Sequence, residues 1–324
     1  MNLNEFKETL SKLIGSYDTF ILTTHENSDA DGVGAEYAIY LYLEMFGKNV
    51  RMINNDKPSS ECEFFHIGNK VHTRIETLDT NDIVFMLDFN EINRVGKRLI
   101  PLFTSGNQIV RIDHHKKPET MSNCISYIDD TASSTCELVF NIIEDELSHF
   151  PEEVQKQIAL ALYSGIIFDT NNFANKNVSP RTFEVCAQLN AYGADNHLAY
   201  KKLFENRKTK ELQLLGLTLS SIEEFYDGKV VLYFTTQKML EESELPIEAT
   251  EGFSKDVKPT NGREVVVYIR ETGKNTYRVS LRSDHRDVQK IAENFDGGGH
   301  ILASGFRAKM KLTDLKSELL SLLK

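Results

Sequence analysis

The sequence has few cysteines, no long apolar run and fewer basic than acidic residues. No apolar stretch approaches the ~18 residues that span a bilayer, so no membrane segment is expected. The four cysteines form no CxxC pair and are too few to crosslink a chain of 324 residues. They favour reduced thiols in a cytoplasmic protein. The first residues carry acid early and lack an apolar core before small residues, so no secretory signal is expected.

The charge balance limits the partners. Lysine and arginine number 37 against 48 acidic residues, which gives a net charge of −11. Tight binding of long duplex DNA requires many cationic phosphate contacts, and an acidic chain is poorly suited to it. A short nucleotide held by a few local cations stays compatible with this charge. Hydrophobic residues at 40% and charged residues at 26% are typical of globular proteins, and the length fits about two domains.

The first half alternates apolar runs with helical patterns. Strands are predicted over residues 19–24, 48–53, 82–87 and 108–112. A helix is predicted over residues 34–46, with Gly47 as its stop signal. Near-continuous apolar strands separated by helices predict an α/β fold with a mostly parallel sheet flanked by helices. The pattern from about Ser133 to Tyr192 is helical, and Pro151 is placed to begin one of these helices.

The last hundred residues predict a smaller α/β unit. A long helix is predicted over residues 209–225, strands over 229–234, 264–270 and 277–282, and helices over 288–295 and from Leu312 onward. We therefore divide the chain into a first domain at 1–195, a helical connector at 196–226 and a smaller second domain at 227–324.

Acidic and histidine side chains follow the ends of three predicted strands. In chain order these residues are His25, Asp29, Asp31, Asp88, Asp113, His114 and His115, and Asp169 follows an apolar helix further on. Residues just past the carboxyl ends of parallel strands share one edge of the sheet, where ligands bind. A single aspartate there is usually a loop residue or a helix cap. Three strand ends that all carry aspartate or histidine are much harder to explain as surface decoration.

Carboxylates gathered at one edge require cations between them. Two like charges ~4 Å apart repel by ~1 kcal/mol in water and by ~4 kcal/mol at an effective dielectric constant near 20. Histidine nitrogens mixed with carboxylate oxygens suit Mn²⁺, Zn²⁺, Co²⁺ or Fe²⁺ better than Ca²⁺. About four aspartates and two histidines are too many for one ion with an open position. They fit two ions, the arrangement of phosphoester hydrolases.

The motifs of this sequence resemble those of a known family. The pattern His25-x-x-x-Asp29-x-Asp31, the strand-end Asp88, Asp113-His114-His115 and Asp169-Thr170 resemble the four motifs of the DHH phosphoesterases. The C-terminal unit resembles the DHHA1 domain, through Ser280-Leu281-Arg282-Ser283 and Gly297-Gly298-Gly299-His300. The match spans nearly the whole chain in family order. It is closest to the two-domain branch of bifunctional oligoribonucleases and pAp phosphatases, which includes phosphodiesterases of linear dinucleotides from cyclic-di-AMP.

The resemblance implies roles for these residues. One ion would be held by His25, Asp29 and Asp88, and the other by Asp31, Asp88, His114 and Asp169, with Asp88 bridging. Asp113 and His115 would be catalytic, Asp113 by orienting the motif and His115 by facing the substrate phosphate. Substrate would be bound by Arg282, Ser283, Gly297, Gly298, Gly299 and His300. Mn²⁺ is the expected ion, with Mg²⁺ or Co²⁺ as alternatives.

The resemblance also implies an activity. The expected enzyme is a metal-dependent phosphoric ester hydrolase that degrades short oligoribonucleotides, linear dinucleotides such as pApA, and pAp to mononucleotides. Its expected partner is the short RNA or dinucleotide substrate, without long duplex DNA or membrane, and a homodimer is left open. Two alternatives remain, a pyrophosphatase or polyphosphatase of the same type and a non-catalytic sensor of an adenine nucleotide.

The sequence departs from the family pattern at four positions near the motifs. These are Ser28, where proline is frequent, and Ala30, Asn171 and Asp296, where glycine is frequent. None of them removes a proposed metal ligand. Asn171 and Asp296 put the substrate preference in question rather than the chemistry.

Overall fold

A computed structural model describes residues 1–116 and 120–324 of the chain. The chain divides into two compact units, Met1–Asn206 and Arg207–Lys324, each with its own apolar core. The predicted domain boundaries at residues 195 and 226 stay a prediction. Among the described residues, none of the helices has the length and apolarity needed to cross a membrane.

The described part of the first unit contains a parallel sheet of six strands. In chain order these strands are β1 (Thr19–Thr23), β2 (Asn49–Ile53), β3 (Val71–His72), β4 (Ile83–Leu87), β5 (Gln108–Asp113) and β6 (Cys124–Ile128). Their order across the sheet is β3-β2-β1-β4-β5-β6, and every neighbouring pair is parallel. The predicted α/β fold with a mostly parallel sheet is therefore confirmed.

Helices cover this sheet on both faces and explain the apolar strands. The helices of the unit are α1 (Leu3–Ser16), α2 (Ala30–Met45), α3 (Pro101–Thr104), α4 (Thr135–Leu147), α5 (Glu152–Asp169), α6 (Pro180–Ala191) and α7 (Asn196–Phe204). All five residues of β4 are buried, and their side chains alternate between two apolar clusters on opposite sides of the sheet. A strand buried on both faces has no polar side, as its sequence Ile-Val-Phe-Met-Leu shows.

The second unit contains a mixed sheet. Its strands are β7 (Glu223–Phe225), β8 (Val230–Thr235), β9 (Val265–Gly273), β10 (Thr276–Ser283), β11 (Gly298–His300) and β12 (Ala303–Lys309), in the order β11-β12-β10-β9-β8-β7. Only β8 and β9 pair in parallel among these described strands. Its helices are α8 (Thr209–Leu219), α9 (Gln237–Ser243), α10 (Gln289–Glu293) and α11 (Leu312–Leu323).

Short 3₁₀ helices complete the two units. They span Ser60–Phe65, Ile92–Val95, Ile247–Thr250 and Phe253–Lys255.

Most predicted strands and helices are found, with shifted ends. The helix predicted over residues 209–225 is wrong at its end, because α8 stops at Leu219 and β7 follows. The hydroxyl of Ser221 bonds both the N–H and the carbonyl of Phe234, and β7 pairs with β8 as a hairpin. Phe225, which the predicted helix included, therefore belongs to a strand. The helix predicted over 288–295 is shorter, at Gln289–Glu293, and the short edge strands β3 and β6 were not predicted.

The fully buried carboxyl of Glu36 on α2 lies inside the first unit. Its Oε2 accepts a hydrogen bond of 2.7 Å from Asn54 Nδ2, while its Oε1 has no partner among the described residues. Burial raises the pKa of Glu36 to about 8, although the bond from Asn54 acts to lower it. The folded protein therefore keeps this proton at neutral pH, where the unfolded chain releases it.

We predict that Glu36→Gln removes part of the pH dependence of stability. A carboxyl with a raised folded-state pKa makes the free energy of unfolding fall as pH rises from its unfolded pKa to about 8. The slope is at most about 1.4 kcal/mol per pH unit. The advantage of Glu36→Gln over the wild type should therefore grow with pH across this interval in urea denaturation. The exposed Glu8→Gln serves as control, and an advantage that does not change with pH would contradict the assignment.

Candidate metal centre

The site is built where the strand order of the first sheet reverses. The chain runs outward from β1 to β2 and β3 and then returns to β4 on the other side of β1. In such sheets the crevice at the carboxyl ends of the two central strands accepts ligands. The segments that follow β1, β4 and β5 leave the sheet at this edge.

His25 and Asp29 follow β1 and lead into α2. Asp29 is the N-cap of this helix, and its Oδ1 accepts bonds from the N–H groups of Asp31 at 3.0 Å and Gly32 at 3.3 Å. A capping carboxylate at a helix N-terminus satisfies donors that lack intrahelical partners. Its other oxygen, Oδ2, lies 3.9 Å from His25 Nε2. The cap thus fixes one carboxylate oxygen and leaves the second facing the histidine.

Asp88 stands directly after β4, in the middle of the constellation. Its φ of +64° lies in the left-handed region, which an aspartate adopts at some cost. The buried carboxylate lies between two histidines, with Oδ2 3.5 Å from His25 Nε2 and Oδ1 3.7 Å from His114 Nε2. This placement suits a carboxylate shared between two groups of ligands.

A second group forms around His114. Its Nε2 lies 3.6 Å from Asp169 Oδ2, at the end of α5, and 4.0 Å from Asp31 Oδ2, in the first turn of α2. Gly165 on α5 allows this approach, because a Cβ there would lie 2.3 Å from Cys136 Sγ and 2.9 Å from Asp31 Oδ1. Backbones on α5 and α2 thus come close enough to place both aspartates at one point.

Among the residues that the structure describes, there are three groups of possible metal-binding atoms, and within each group the atoms lie within 4.8 Å of one another. They are His25 with Asp29 and Asp88, Asp31 with His114 and Asp169, and Asp88 with His114 and His115. The first two groups contain the same residues as the two expected ligand sets, apart from the placement of Asp88 in the second set. The ligand roles themselves stay a prediction.

The electrostatics of these groups fit bound cations. Burial and then the charge of Asp31 raise the pKa of Asp88 well above its usual range, and raise the pKa of Asp169 to about 7. Burial acts to lower the pKa of His25, but Asp29 and Asp88 outweigh it and raise this pKa to about 10. Asp88 and Asp169 therefore take up protons more readily than ordinary carboxylates. A set of carboxylate oxygens and imidazole nitrogens with this demand for positive charge fits divalent ions such as Mn²⁺.

Asp113 and His115 form a pair beside these groups. Asp113 Oδ1 lies 2.7 Å from His115 Nδ1 and accepts a bond of 3.2 Å from the His115 N–H. Because a carboxylate only accepts, the imidazole carries its proton on Nδ1 and directs Nε2 away from Asp113. Burial opposes the charged ring, but Asp113 and Asp88 raise the pKa of His115 above its usual value. Asp113 thus orients His115, the second histidine of the motif.

The sequence predicts a helix in this region, but not that the first residues of α4 hold two of these aspartates. The N–H groups of Thr135 and Cys136 donate to Asp31 Oδ2 and Oδ1, at 2.8 and 2.9 Å. Thr135 Oγ1 also donates to Asp88 Oδ1 at 2.9 Å. The N-cap Ser134, whose Oγ accepts from the N–H of Glu137, is a visible signal for the start of α4. The sequence does not tell which carboxylate this helix start binds.

In the second unit, sheet register aligns two predicted substrate residues. His300 on β11 pairs with Ala303 on β12, and Ala303 pairs with Arg282 on β10. Residues directly opposite in antiparallel strands point to the same face, so His300 and Arg282 share one row across the sheet. The strand Gly298–His300 is exposed throughout, whereas the Arg282 side chain is half-buried. Burial lowers the pKa of the Arg282 guanidinium.

Gly297 and Gly299 have geometric reasons to be glycine. A Cβ at Gly297 would lie 2.4 Å from Phe306 Cβ, and one at Gly299 would lie 2.7 Å from the Ala303 carbonyl oxygen. The φ of Gly299 is also +139°. Both residues thus allow β11 to lie close to β12.

The predicted role of Ser283 meets a different geometry. Its Oγ donates to the Glu264 carbonyl at 2.7 Å and accepts from the N–H groups of His285 at 3.3 Å and Arg286 at 2.9 Å. A hydroxyl has one donor and two lone pairs, so all three are used. Ser283 therefore holds the turn after β10, and its substrate contact stays a prediction.

Two departures from the family pattern share one conformation. Asn171 has a φ of +48° and Asp296 a φ of +55°. This left-handed region suits glycine best, and asparagine and aspartate tolerate it better than other residues. The two substitutions thus keep the backbone path while adding side chains.

Comparisons with known proteins agree with the motifs. The model of the DHH family, N-terminal domain, matches residues 19–166, and the DHHA1 domain model matches residues 228–324. A Streptococcus mutans protein named probable bifunctional oligoribonuclease and PAP phosphatase NrnA is 25% identical over 329 residues, covering 99% of this chain and 100% of that protein. The cyclic-di-AMP phosphodiesterase PdeA of Listeria monocytogenes is 26% identical over 330 residues, covering 97% of this chain and 48% of that protein.

A solved structure shares the whole architecture. An exopolyphosphatase-related protein from Bacteroides fragilis superposes with a TM-score of 0.86 at 22% identity, covering 98% of this chain and 96% of that one. This likeness supports the fold alone.

We predict that Thr135→Val weakens metal binding while the protein stays folded. Valine keeps the shape and the backbone donor but removes the hydroxyl that orients Asp88. Loss of such a partner typically costs about 10–100-fold in metal affinity, which calorimetric titration with Mn²⁺ would measure. Thr131→Val is the matched control, because its hydroxyl binds Asp129 on the exposed surface. Equal Mn²⁺ affinity for both variants and the wild type would overturn the assigned role.

Proposed function

Because this chain belongs to the DHH phosphoesterases and carries a DHHA1 domain, we propose that it hydrolyses short oligoribonucleotides, linear dinucleotides such as pApA, and pAp to mononucleotides. The observation that carries the proposal is the convergence of four aspartates and two histidines in two groups around Asp88. The names of the relatives from Streptococcus mutans and Listeria monocytogenes support this substrate class. Hydrolysis is assigned to residues 1–195 and substrate binding to 227–324, with 196–226 as connector.

The first unit would hold two divalent ions, with Mn²⁺ proposed. The ligands of one ion are His25, Asp29 and Asp88, and those of the other are Asp31, Asp88, His114 and Asp169. When bound, such a pair supplies Lewis acidity that activates water near neutral pH and offsets negative charge on a phosphate. The chain contributes the geometry, because helix N-termini fix Asp29 and Asp31 and Thr135 fixes Asp88.

His115 is proposed as the group that meets the substrate phosphate. Its Nδ1 proton is held by Asp113, so the opposite nitrogen, Nε2, is presented for a hydrogen bond to a phosphate oxygen or for proton transfer to the leaving oxygen. The raised pKa of His115 keeps the ring protonated to a higher pH than an exposed histidine. Such a donor acts where charge develops on the phosphate.

The second unit is proposed to bind the far end of the substrate. A guanidinium can bind a phosphate through two parallel hydrogen bonds, and Arg282 offers one from a half-buried position. Gly297–Gly299 allows close approach of a ligand to backbone N–H groups, and His300 lies in the same row as Arg282. Ser283 contributes through the turn that it holds after β10. Recognition at both ends of a substrate favours short chains over long RNA.

We predict that Asp88→Asn and His114→Ala each strongly reduce the rate of phosphoester cleavage. Each change removes a donor atom at the centre of the two groups, and a loss of about 3 kcal/mol in transition-state stabilisation corresponds to about 100-fold in rate. The measurement is turnover of pApA, pAp, a two-to-five-residue RNA ladder, pyrophosphate and polyphosphate, with Mn²⁺ and with EDTA. The exposed Asp130→Asn is the control.

Three results would contradict the proposal. Turnover that survives in EDTA would refute the metal requirement. Full activity of Asp88→Asn would refute the assignment of Asp88 as a metal ligand. Cleavage of pyrophosphate or polyphosphate without cleavage of any nucleotide would establish the alternative phosphatase. Tight nucleotide binding without product would establish a sensor.

We predict that Arg282→Ala weakens pApA cleavage more than hydrolysis of bis-p-nitrophenyl phosphate. Bis-p-nitrophenyl phosphate has no second phosphate for the second unit to bind, so the substitution removes a charge-assisted contact only from pApA. Loss of this contact should lower kcat/KM for pApA by about 10-fold or more. Steady-state KM and kcat on both substrates give the comparison. The exposed Lys238→Ala removes a positive charge elsewhere in the same unit and serves as control. Equal losses on both substrates would contradict the assignment.

A further inference from the structure

The row of Arg282 and His300 is one of several on the same face of the second sheet. The opposite face packs on the apolar core through Tyr277, Val279 and Leu281 of β10. The alternate residues Arg278, Ser280 and Arg282 therefore point to the other side of the sheet. Arg278 is exposed there.

Strand register places three arginines in one row on this face. Arg278 on β10 pairs directly with Arg307 on β12 and with Arg270 on β9. The next row outward pairs Thr276 with Lys309, which adds a further cation. Arg278, Arg307 and Lys309 are exposed, and Arg270 is half-buried with Nη1 bonded to Thr250 Oγ1. We call Arg270, Arg278, Arg307 and Lys309 the basic rows.

The basic rows carry uncompensated positive charge. Like charges directly opposite in a sheet destabilise it. In the part of the chain that the structure describes, no carboxylate lies within the 4.0 Å ion-pair distance of these four residues. The chain as a whole carries a net charge of −11, so this concentration of cations runs against its composition. Such an arrangement becomes favourable when a polyanion lies on it.

Small residues separate the basic rows from Arg282 and His300. The intervening row contains Gly298 on β11, Gly305 on β12 and Ser280 on β10. Alternate residues of a strand lie about 7 Å apart, so the arginine row is about 14 Å from the row of Arg282. Because these side chains are small, a flexible phosphodiester chain can lie across this row between the two sets of cations.

We propose that the basic rows bind the backbone phosphates of single-stranded RNA longer than a dinucleotide, beyond the nucleotide held at Arg282 and His300. The inference rests on the proposed function, since it extends the substrate from the end that the second unit binds. Contacts to phosphate carry no base information, so this surface holds RNA of any sequence. It sets how the enzyme handles three-to-five-residue RNA, while pApA and pAp end before reaching it.

The test compares the double variant Arg278→Ala/Arg307→Ala with wild type on RNA of two to five residues. We expect KM for the tetramer and pentamer to rise about 10-fold, because charge-assisted phosphate contacts are lost, with pApA and pAp changed less than about twofold. The control Lys238→Ala/Lys290→Ala removes two exposed charges from α9 and α10 and should leave all substrates unchanged.

Binding without turnover separates this inference from the proposed function. Fluorescence polarisation of a labelled pentanucleotide in EDTA measures how the binding affinity changes with salt concentration. Loss of two phosphate contacts should lower the magnitude of the slope of log affinity against log salt concentration by about 1.4. A wild type that cleaves no RNA but shows this change in slope would refute the function and keep the basic rows. Equal losses on pApA and pentamer, an unchanged pentamer affinity, or the same effect in the lysine control would overturn the basic rows. The midpoint temperature of thermal unfolding of the arginine variant should not fall, since the two substitutions remove like-charge pairs.

Discussion

The first unit must offset the repulsion among four carboxylates that lie together at one edge of its sheet. Asp29 and Asp31 are each tied to backbone N–H groups at the start of a helix, α2 and α4 respectively. Those helix starts carry partial positive charge, which stabilises anions that would otherwise be costly to bury. Asp88 and Asp169 receive less of this support, and their pKa values are raised. The fold thus neutralises part of the site with its own backbone and leaves the remainder to bound cations.

The second unit contains the reverse arrangement on an exposed surface. Arginines from three strands stand side by side there, and the chain provides no acidic neighbour within ion-pair distance among its described residues. One unit therefore gathers excess negative charge and the other gathers excess positive charge.

Local sequence features predict much of this molecule, and tertiary pairing explains what they miss. The buried strands were predictable because their residues are apolar on both faces, and the residues after β1, β4 and β5 followed from the shared edge of a parallel sheet. The hydrogen bonds from Thr135 to Asp31 and Asp88 were not, since they join segments about a hundred and about fifty residues apart. The aligned arginines depend on strand register, which alternation does not fix between strands. Ser221 likewise ends a helical pattern through a partner on β8.

Gly165 joins the interior of the first unit to its reactive edge. With hydrogen in place of a side chain, α5 touches Cys136 and the carboxylate of Asp31, and Gly34 on α2 similarly approaches the Ala161 carbonyl of α5. The packing contact between α2 and α5 therefore also forms one side of the cluster of metal-binding candidates. A substitution at this helix contact therefore changes the packing of the core and the geometry of the site together, so selection cannot adjust one without affecting the other.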